Sequence, residues 1–400
     1  MSRTWEIFLA RAPRGPRAVA WLGILVGVLA TWLMLPPVEL HATTVPLAVG
    51  AAAVALGVYA FTRGVRRVGA GAAVFGVLGA GLGVLATQSG QANLEGVVVW
   101  SALLAATLRY ATPLIFASIG GMFSERSGVV NIGLEGMMLM GCFFGIWGTD
   151  VTGSWILGTL IAVLAGGLLA LVHAFFAIHL RADQIVGGTA VNFLALGITG
   201  YLYIDIYQDV GTPSDLARIP DVHLGFLKSW YFVGPILGQL NLMIWLALLT
   251  ILVSWIVMFK TPVGLRIRSV GEHPRAADTV GISVYKTRYA AVTLSGMLAA
   301  AGGAYLSVGF VGSFNENMTA GRGFIALAAL IFGKWRPFGA AAAALLFGFS
   351  SALADRLPVY SESGAVLFRS LPYALTLIAV AGVIGRSIPP AAISKPYVKQ

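Results

Sequence analysis

Twelve long apolar runs, separated by shorter segments that hold most of the charge, dominate this chain of 400 residues. Apolar residues make up 58% of it, whereas Lys, Arg, Asp and Glu together contribute only 10%. Ordinary soluble domains carry roughly 25% charged residues, and a helix that crosses a bilayer uses about 20 mostly apolar ones. The pattern therefore predicts an all-α polytopic membrane protein with about ten to twelve transmembrane helices, some of them broken or half-helices. It excludes a soluble enzyme, a disordered chain and a disulfide scaffold.

The runs have boundaries that hold to within a few residues. The fourth run contains Arg109 and Pro113, so two half-helices are an alternative to one continuous span. The first run follows a basic N-terminus and is too long for a signal peptide, so we interpret it as an uncleaved span. The twelve predicted spans are 18–35, 45–61, 68–86, 97–123, 130–148, 155–180, 185–204, 236–259, 289–310, 319–335, 338–357 and 369–386.

The basic residues predict the orientation of these spans. If the N-terminus lies inside and the spans alternate, 20 of the 26 Lys and Arg residues fall on the inner side. Cytoplasmic loops are enriched in these residues, so the count predicts a cell-membrane protein with both termini in the cytoplasm. The same bias explains the net charge of +10 without any nucleic-acid partner. The six on the outer side are Arg109, Arg218, Lys228, Arg322, Arg356 and Arg369.

Catalytic and metal-binding signatures are missing from the sequence. The five histidines show no metal-ligand spacing, and the one cysteine, Cys142, lies in an apolar run as a small core residue. The sequence contains no Gly-x-x-x-x-Gly-Lys-Ser/Thr phosphate loop. If ATP powers this protein, another subunit must bind and hydrolyse it.

The densest polar cluster runs from the inner end of the fourth run into the fifth. Glu125 and Arg126 suit an interfacial turn as well as a functional site. Asn131 and Glu135 are four apart and would share a helix face, and a carboxylate at the start of an apolar helix needs a cavity or a partner. We therefore consider two roles for this pair, a translocation pathway or gate and a structural polar clamp. Further intramembrane polar candidates are Arg109, Asn192, Asn241 and Arg322.

Two connections between spans are long. The outer one, 205–234, has room for a short amphipathic element and is either a solvated connector or a docking surface. In the inner one, 260–288, the stretch 271–281 predicts one short helix, with Pro274 at its first position and Gly281 just past its end. A helix of two turns is marginal in isolation, so another surface is expected to pack on it.

Three segments resemble motifs of one transporter family. SERSGVVNIGLEGMM at 124–138 resembles the signature stretch of permease subunits of bacterial ABC importers, in the superfamily for ribose-type sugars and branched-chain amino acids. Within that superfamily it is similar to the nucleoside (simple-sugar) branch. TPVGLRIRSVGEHPRAA at 261–277 resembles the family's cytoplasmic coupling segment, with Ser269 and His273 replacing the commoner Ala and Asn. The third match is TAGRGFIALAALIFGKW at 319–335.

The resemblance implies a non-catalytic permease of the inner membrane, folded as a type II ABC-importer-like permease bundle. It would pair with a second permease, identical or paralogous, with a separate ABC ATPase and with an extracytoplasmic substrate-binding protein. ATP and Mg²⁺ would bind the ATPase, and this chain would bind no cofactor and no metal. The signature residues are Ser124, Glu125, Arg126, Gly128, Gly133 and Gly136. The ATPase would dock on Gly271, Glu272, His273, Pro274, Arg275, Ala276, Ala277, Asp278 and Gly281. Candidates for the translocation pathway or gate are Asn131, Glu135, Asn192 and Arg322.

The predicted organisation has three parts. Residues 1–94 hold a basic tail and about three accessory spans, 95–386 form the permease core with the coupling loop 260–288, and 387–400 form a cytoplasmic tail. The alternatives are a permease for branched-chain amino acids or another small solute, a secondary transporter and a polytopic membrane enzyme. The coupling-type loop argues against the secondary transporter, and an enzyme would need paired carboxylates or a histidine cluster at one membrane face.

Overall fold

The computed structural model describes residues 15–33, 42–88, 100–213, 215–227, 233–356 and 388–398. Helices dominate this part of the chain, and two short strands pair with each other. The helices are α1 Pro16–Trp32, α2 Thr44–Thr62, α3 Arg66–Gln88, α4 Trp100–Arg126, α5 Leu134–Thr152, α6 Trp155–Ala174, α7 Gln184–Tyr207, α8 Val233–Leu237, α9 Leu242–Lys260, α10 Pro262–Glu272, α11 Pro274–Thr279, α12 Val284–Ala304, α13 Arg322–Phe332 and α14 Pro337–Arg356. The strands are β1 Asp221–His223 and β2 Gln239–Asn241, and π-helical turns Phe175–His179 and Tyr305–Val311 extend α6 and α12.

Eleven of the twelve predicted apolar runs coincide with helices, and the twelfth, 369–386, lies outside the described residues. Seven helices of the described part are long and apolar enough to cross a membrane. With 11 residues, α13 rises about 16 Å, roughly half the hydrocarbon core of a bilayer. The all-α polytopic membrane architecture, with a half-helix, is therefore confirmed.

The described residues fall into two compact units. The first contains α1, α2 and α3, which approach each other closely through small residues. A methyl group on Gly27 would lie 2.7 Å from the carbonyl carbon of Phe75, and one on Gly57 would lie 2.5 Å from the amide nitrogen of Ala73. Small residues four apart allow such backbone contact. The predicted basic tail up to residue 14 and the predicted boundary at 94–95 lie outside the described residues.

The second unit contains α4 to α14 up to residue 354 and the segment 388–398. Its centre is built from α5, α6 and α12, again with glycines at the crossings. A methyl group on Gly141 or Gly166 would overlap Ala300 of α12, and one on Gly303 would overlap the Met138 carbonyl. Because the helices touch backbone to backbone, the polar groups between them have fixed positions.

The fourth run forms one continuous helix, so the alternative of two half-helices at Arg109 and Pro113 is wrong. Pro113 lies inside α4, and a methyl group on Gly302 of α12 would lie 2.9 Å from the Pro113 carbonyl oxygen. The close approach of Gly302 covers α4 with α12 at this proline. Arg109 is exposed on α4.

The inner connection 260–288 holds two helices where the sequence predicted one. Thr261 and Pro262 begin α10, with the Thr261 hydroxyl accepting a hydrogen bond from the Gly264 amide at 3.3 Å. Pro274 ends α10 because a residue before proline avoids the helical conformation, and His273 is extended at φ −142°. Pro274 then starts α11 at the predicted position.

A strand in the outer connection pairs with a second strand just beyond it, and the sequence predicted neither. Asp221 pairs with Asn241 and His223 with Gln239, and α9 starts at Leu242, six residues after the predicted start of its run. The Asn241 side chain accepts a hydrogen bond from the Met243 amide at 3.1 Å and donates one to the Ile219 carbonyl at 2.8 Å. Asn241 therefore caps α9 and links the start of this helix to Ile219, which lies just before β1.

Candidate functional site

The signature stretch forms a buried interruption between α4 and α5. Helix α5 begins at Leu134, so Asn131 precedes it, and the predicted shared helix face of Asn131 and Glu135 is wrong. Gly128 has φ +93°, a left-handed conformation that favours glycine. The Ser124 hydroxyl donates to the Val129 carbonyl at 2.7 Å. The chain therefore turns sharply here. Non-helical backbone at membrane depth is tolerated only where it is buried in protein, as it is at this turn.

Side chains from α6 and α7 satisfy the backbone of Val130. Its amide donates to the Gln184 side-chain oxygen at 2.8 Å, and its carbonyl lies 3.0 Å from His173 Nε2. Both His173 and Gln184 are buried. Neither was predicted as a site residue; the available signal is a polar side chain within or beside an apolar run.

Asn192 of α7 clamps the interruption to the start of α5. Its side-chain oxygen accepts a hydrogen bond from the Gly136 amide at 2.8 Å, and its nitrogen donates to the Ile132 carbonyl at 3.0 Å. Asn131 is fully buried and donates to the Ser295 hydroxyl of α12 at 2.9 Å. Two candidates from the sequence therefore hold one segment between α7 and α12.

Glu135 joins α5 to the half-helix α13. Its carboxylate oxygens accept hydrogen bonds from the amides of Gly321 at 2.7 Å and Gly323 at 2.5 Å. A carboxylate is favourable there because the first amides of a helix lack intrahelical partners and carry partial positive charge. Arg322, although adjacent, donates to the carbonyls of Met318 at 2.9 Å and Thr319 at 3.1 Å.

Glu125 and Arg126 both contact Trp335, which lies beyond the end of α13. The indole nitrogen of Trp335 donates to the Glu125 carboxylate at 2.6 Å, and Arg126 Nε donates to the Trp335 carbonyl at 3.0 Å. Lys334 and Trp335 both have positive φ, so the chain turns tightly to present these groups. The first and third motifs therefore meet at this point.

The predicted docking residues form a separate, partly exposed group on α10 and α11. Glu272, His273, Arg275 and Ala276 are exposed and Asp278 is partly exposed, whereas Ala277 and Gly271 are buried. A methyl group on Gly271 would overlap the Arg126 carbonyl oxygen. Helix α10 thus abuts the end of α4, and α11 follows it with Ala277 buried and its other side exposed.

Two of the remaining predicted glycines, Gly133 and Gly136, lie against α7, and the third, Gly281, follows α11. A methyl group on Gly133 would lie 3.1 Å from Val191 of α7, and one on Gly136 would lie 2.9 Å from Asn192, so both glycines allow α7 to approach. Gly281 is exposed with φ +85° just past α11, as predicted. Among the residues that the structure describes, no three His, Cys, Asp or Glu side chains gather as a metal site would require.

Comparisons with known proteins agree on one family. A family model described as "Branched-chain amino acid transport system / permease component" matches residues 103–380. The chain is 44% identical over 327 residues to the guanosine ABC transporter permease of Bacillus subtilis (strain 168), covering 76% of this chain and 99% of that protein. No solved structure matches the chain.

Two further relatives are named for other substrates. The nucleoside ABC transporter permease of Lactococcus lactis subsp. cremoris is 41% identical over 308 residues, covering 74% of this chain and 96% of that protein. The putative glucose ABC transporter permease of Haloferax volcanii is 39% identical over 261 residues, covering 65% and 78%. Each motif in the sequence lies within the region that the family model matches.

Proposed function

The chain belongs to the family of permease components of branched-chain amino acid transport systems, and we propose that it carries nucleosides as the membrane subunit of an ATP-driven importer. It is a multi-pass membrane protein. The observation that carries the substrate class is the identity of 44% and 41% to guanosine and nucleoside permeases along almost their whole length. The second candidate is a simple sugar, because the glucose permease relative is nearly as similar.

Uptake competition separates these substrates. Cells that express the complete transporter should take up labelled guanosine, and excess unlabelled adenosine or guanosine should suppress that uptake by at least about tenfold, as for competitors at a saturated shared site. Glucose and leucine at the same concentration should leave it unchanged. Suppression by glucose alone would transfer the assignment to sugars, and suppression by leucine alone would contradict the nucleoside assignment.

We propose that ATP hydrolysis takes place on a separate ATPase and that this subunit is non-catalytic. Support comes from the sequence, which contains no phosphate loop. A second permease would complete the translocation path, and an extracytoplasmic binding protein would deliver the substrate. ATP and Mg²⁺ would bind the ATPase, and no cofactor would bind this chain.

We further propose the cell (inner) membrane as the location, with both termini in the cytoplasm. The bias of basic residues supports this orientation. The structure adds a consistent contact, because the Ala392 amide near the C-terminus donates to the Gly271 carbonyl at 2.9 Å. The segment 388–398 therefore lies on the same side as the inner connection 260–288.

The exposed face of α11 is our proposed docking surface for the ATPase. It presents Arg275 and Ala276, and Glu272 and His273 are exposed just before it. Glu272 and Arg275 carry opposite charges, and α11 is too short to be stable alone. The buried Ala277 of α11 packs in a cluster with Val270 of α10, and Gly271 of α10 abuts the Arg126 carbonyl at the end of α4. The interruption that Asn192 holds follows directly after α4. A push on α11 would thus reach the segment that we assign, with Asn131 and Arg322, to the gate.

Removing the charge of Arg275 should weaken the ATPase contact. We expect Arg275→Ala to lower affinity for the ATPase by about threefold to tenfold, as when one arginine is lost from an interface. The matched control is Lys286→Ala, which removes one exposed positive charge outside α11. Binding of the purified ATPase to the permease in detergent measures this, and equal affinities for both variants and wild type would contradict the proposed surface.

A further inference from the structure

We propose that the C-terminal segment 388–398 is a clamp that positions α10 and α11 for coupling, an inference that rests on the proposed importer function. The segment packs against the inner connection, although more than a hundred residues separate the two in sequence. Its contacts are made through backbone hydrogen bonds, one aromatic side chain and one buried arginine.

The backbone of the clamp caps the end of α10. The Ala392 amide donates to the Gly271 carbonyl at 2.9 Å, and the Ala391 amide donates to the Glu272 carboxylate at 3.1 Å. The last carbonyls of a helix have no intrahelical partner, so the clamp supplies one at the point where α10 gives way to α11. The orientation of α11 relative to α10 is therefore tied to the C-terminal segment.

Tyr397 anchors the clamp among three helices. Its side chain is 6% exposed and packs in a cluster with Val270 of α10, Ala277 of α11 and Val284 of α12. Its ring meets Tyr285 edge to face, with 5.6 Å between ring centroids. Ala277 is the buried contact of α11, so the inward face of the proposed docking helix rests on this cluster.

The backbone of Tyr397 adds a further contact, because its carbonyl accepts a hydrogen bond from the Tyr285 hydroxyl at 3.4 Å. Burial raises the pKa of the Tyr397 phenol, and the nearby Asp278 carboxylate raises it further.

Arg288 connects the clamp to the signature stretch. It is 1% exposed, and its guanidinium donates to the Lys395 carbonyl and to the Ser127 carbonyl, each at 3.2 Å. A methyl group on Gly128 would lie 2.9 Å from Arg288 Nη2 and 3.1 Å from the Ala392 carbonyl oxygen. Burying a charge is costly unless hydrogen bonds compensate it. The two carbonyls pair with Nε and Nη1, so Arg288 is held by both the clamp and the turn after α4.

These contacts connect α11 to α12 and connect α12 to the turn between α4 and α5. A displacement of α11 would be passed by Tyr397 to α12, and by Arg288 to the turn between α4 and α5. Without the clamp, α11 would keep its exposed residues but lose the support beneath them. The ATPase could then still bind and hydrolyse ATP, while less of that hydrolysis would drive transport.

The first test measures the clamp without transport. Trypsin cleaves after Arg275 only when α11 opens locally, so the cleavage rate in the purified chain reports the support of this helix. Tyr397→Ala should raise that rate by about tenfold, a scale typical for the loss of a buried aromatic anchor. Tyr397→Phe and Val398→Ala should cleave like wild type, since the first keeps the ring and the second changes an exposed side chain.

The second test uses the complete transporter in proteoliposomes and records nucleoside uptake per ATP hydrolysed. Tyr397→Ala should lower this ratio by about fivefold or more while ATPase activity persists, since the two processes are separable only if coupling is lost. Ala392→Pro, which removes the amide that bonds Gly271, should act in the same direction. It also serves as the deciding variant if Tyr397→Ala fails to fold.

Wild-type cleavage rates and wild-type uptake ratios in both Tyr397→Ala and Ala392→Pro would overturn the clamp. Faster cleavage in a complex whose wild-type form takes up no nucleoside would instead refute the proposed function and leave the clamp intact. Faster cleavage with an unchanged uptake ratio would contradict the coupling role.

Discussion

Gly271→Ala is expected to abolish most ATP-driven uptake while the protein still inserts into the membrane. The added methyl group would overlap the Arg126 carbonyl oxygen, which belongs to backbone and cannot move aside as a side chain can. Overpacking of this kind costs about 1–3 kcal/mol, and the strain falls where α10 meets α4. It would also displace the Gly271 carbonyl that bonds Ala392. We expect uptake to fall by about tenfold or more, in line with that cost.

The matched control is Gly187→Ala on α7, since a methyl group there would meet nothing within 4 Å. Uptake of labelled nucleoside, normalised to the amount of protein in the membrane, measures both variants. Wild-type uptake by Gly271→Ala would show that the contact between α10 and α4 is not needed for coupling.

Glu135→Ala should produce the second large effect, a loss of stability. Removing the carboxylate leaves the amides of Gly321 and Gly323 without their acceptor, and each buried unsatisfied group costs about 1–3 kcal/mol. The expected loss is therefore about 2–6 kcal/mol, centred on the start of α13. Thermal unfolding of the purified protein in detergent should show a clearly lower midpoint.

Glu135→Gln is the informative partner of that variant. Its amide oxygen still accepts one hydrogen bond, so its unfolding midpoint should lie between those of Glu135→Ala and wild type. If Glu135→Ala unfolds like wild type but fails to transport, the carboxylate serves the translocation path directly and does not act mainly as an anchor of α13.

Apolar runs were sufficient to predict most of the helices, because a membrane helix is apolar along nearly its whole length. They were insufficient where distant side chains replace helical hydrogen bonds. The run from 130 predicted a helix there, but Gln184, His173 and Asn192 satisfy the backbone of an interruption up to Leu134. Nothing local in the sequence indicates which distant residue will supply those partners.

In the inner connection, by contrast, a local signal for a helix start was present, but the neighbouring residues pointed to a loop. Thr261 is a good capping residue and Pro262 suits the first position of a helix. The basic residues that follow them are nevertheless typical of a cytoplasmic loop. The anchoring role of Tyr397 has no comparable signal, because it depends on a cluster formed by three separate helices. Strands β1 and β2 pair across residues 224–238, a separation in sequence that a local pattern does not predict.

The interface between motifs also depends on tertiary structure. The sequence placed Glu125 and Arg126 in one motif and Trp335 in another, and only the fold shows that Glu125 meets the Trp335 side chain and Arg126 its backbone carbonyl. The candidates Asn131, Glu135 and Asn192 were found because polar groups in apolar runs are costly unless partnered. Their partners, Ser295 and the start of α13, came from the structure.

We propose that ATP hydrolysis on a separate ATPase drives nucleosides through this chain. The decisive experiment uses proteoliposomes that contain the chain, its ATPase, the second permease and the binding protein. Labelled guanosine is added on the side of the binding protein and ATP on the side of the ATPase. We expect accumulation that needs ATP and is lost when the ATPase is left out. Accumulation driven by an ion gradient, with this chain alone and without ATP, would contradict the proposal.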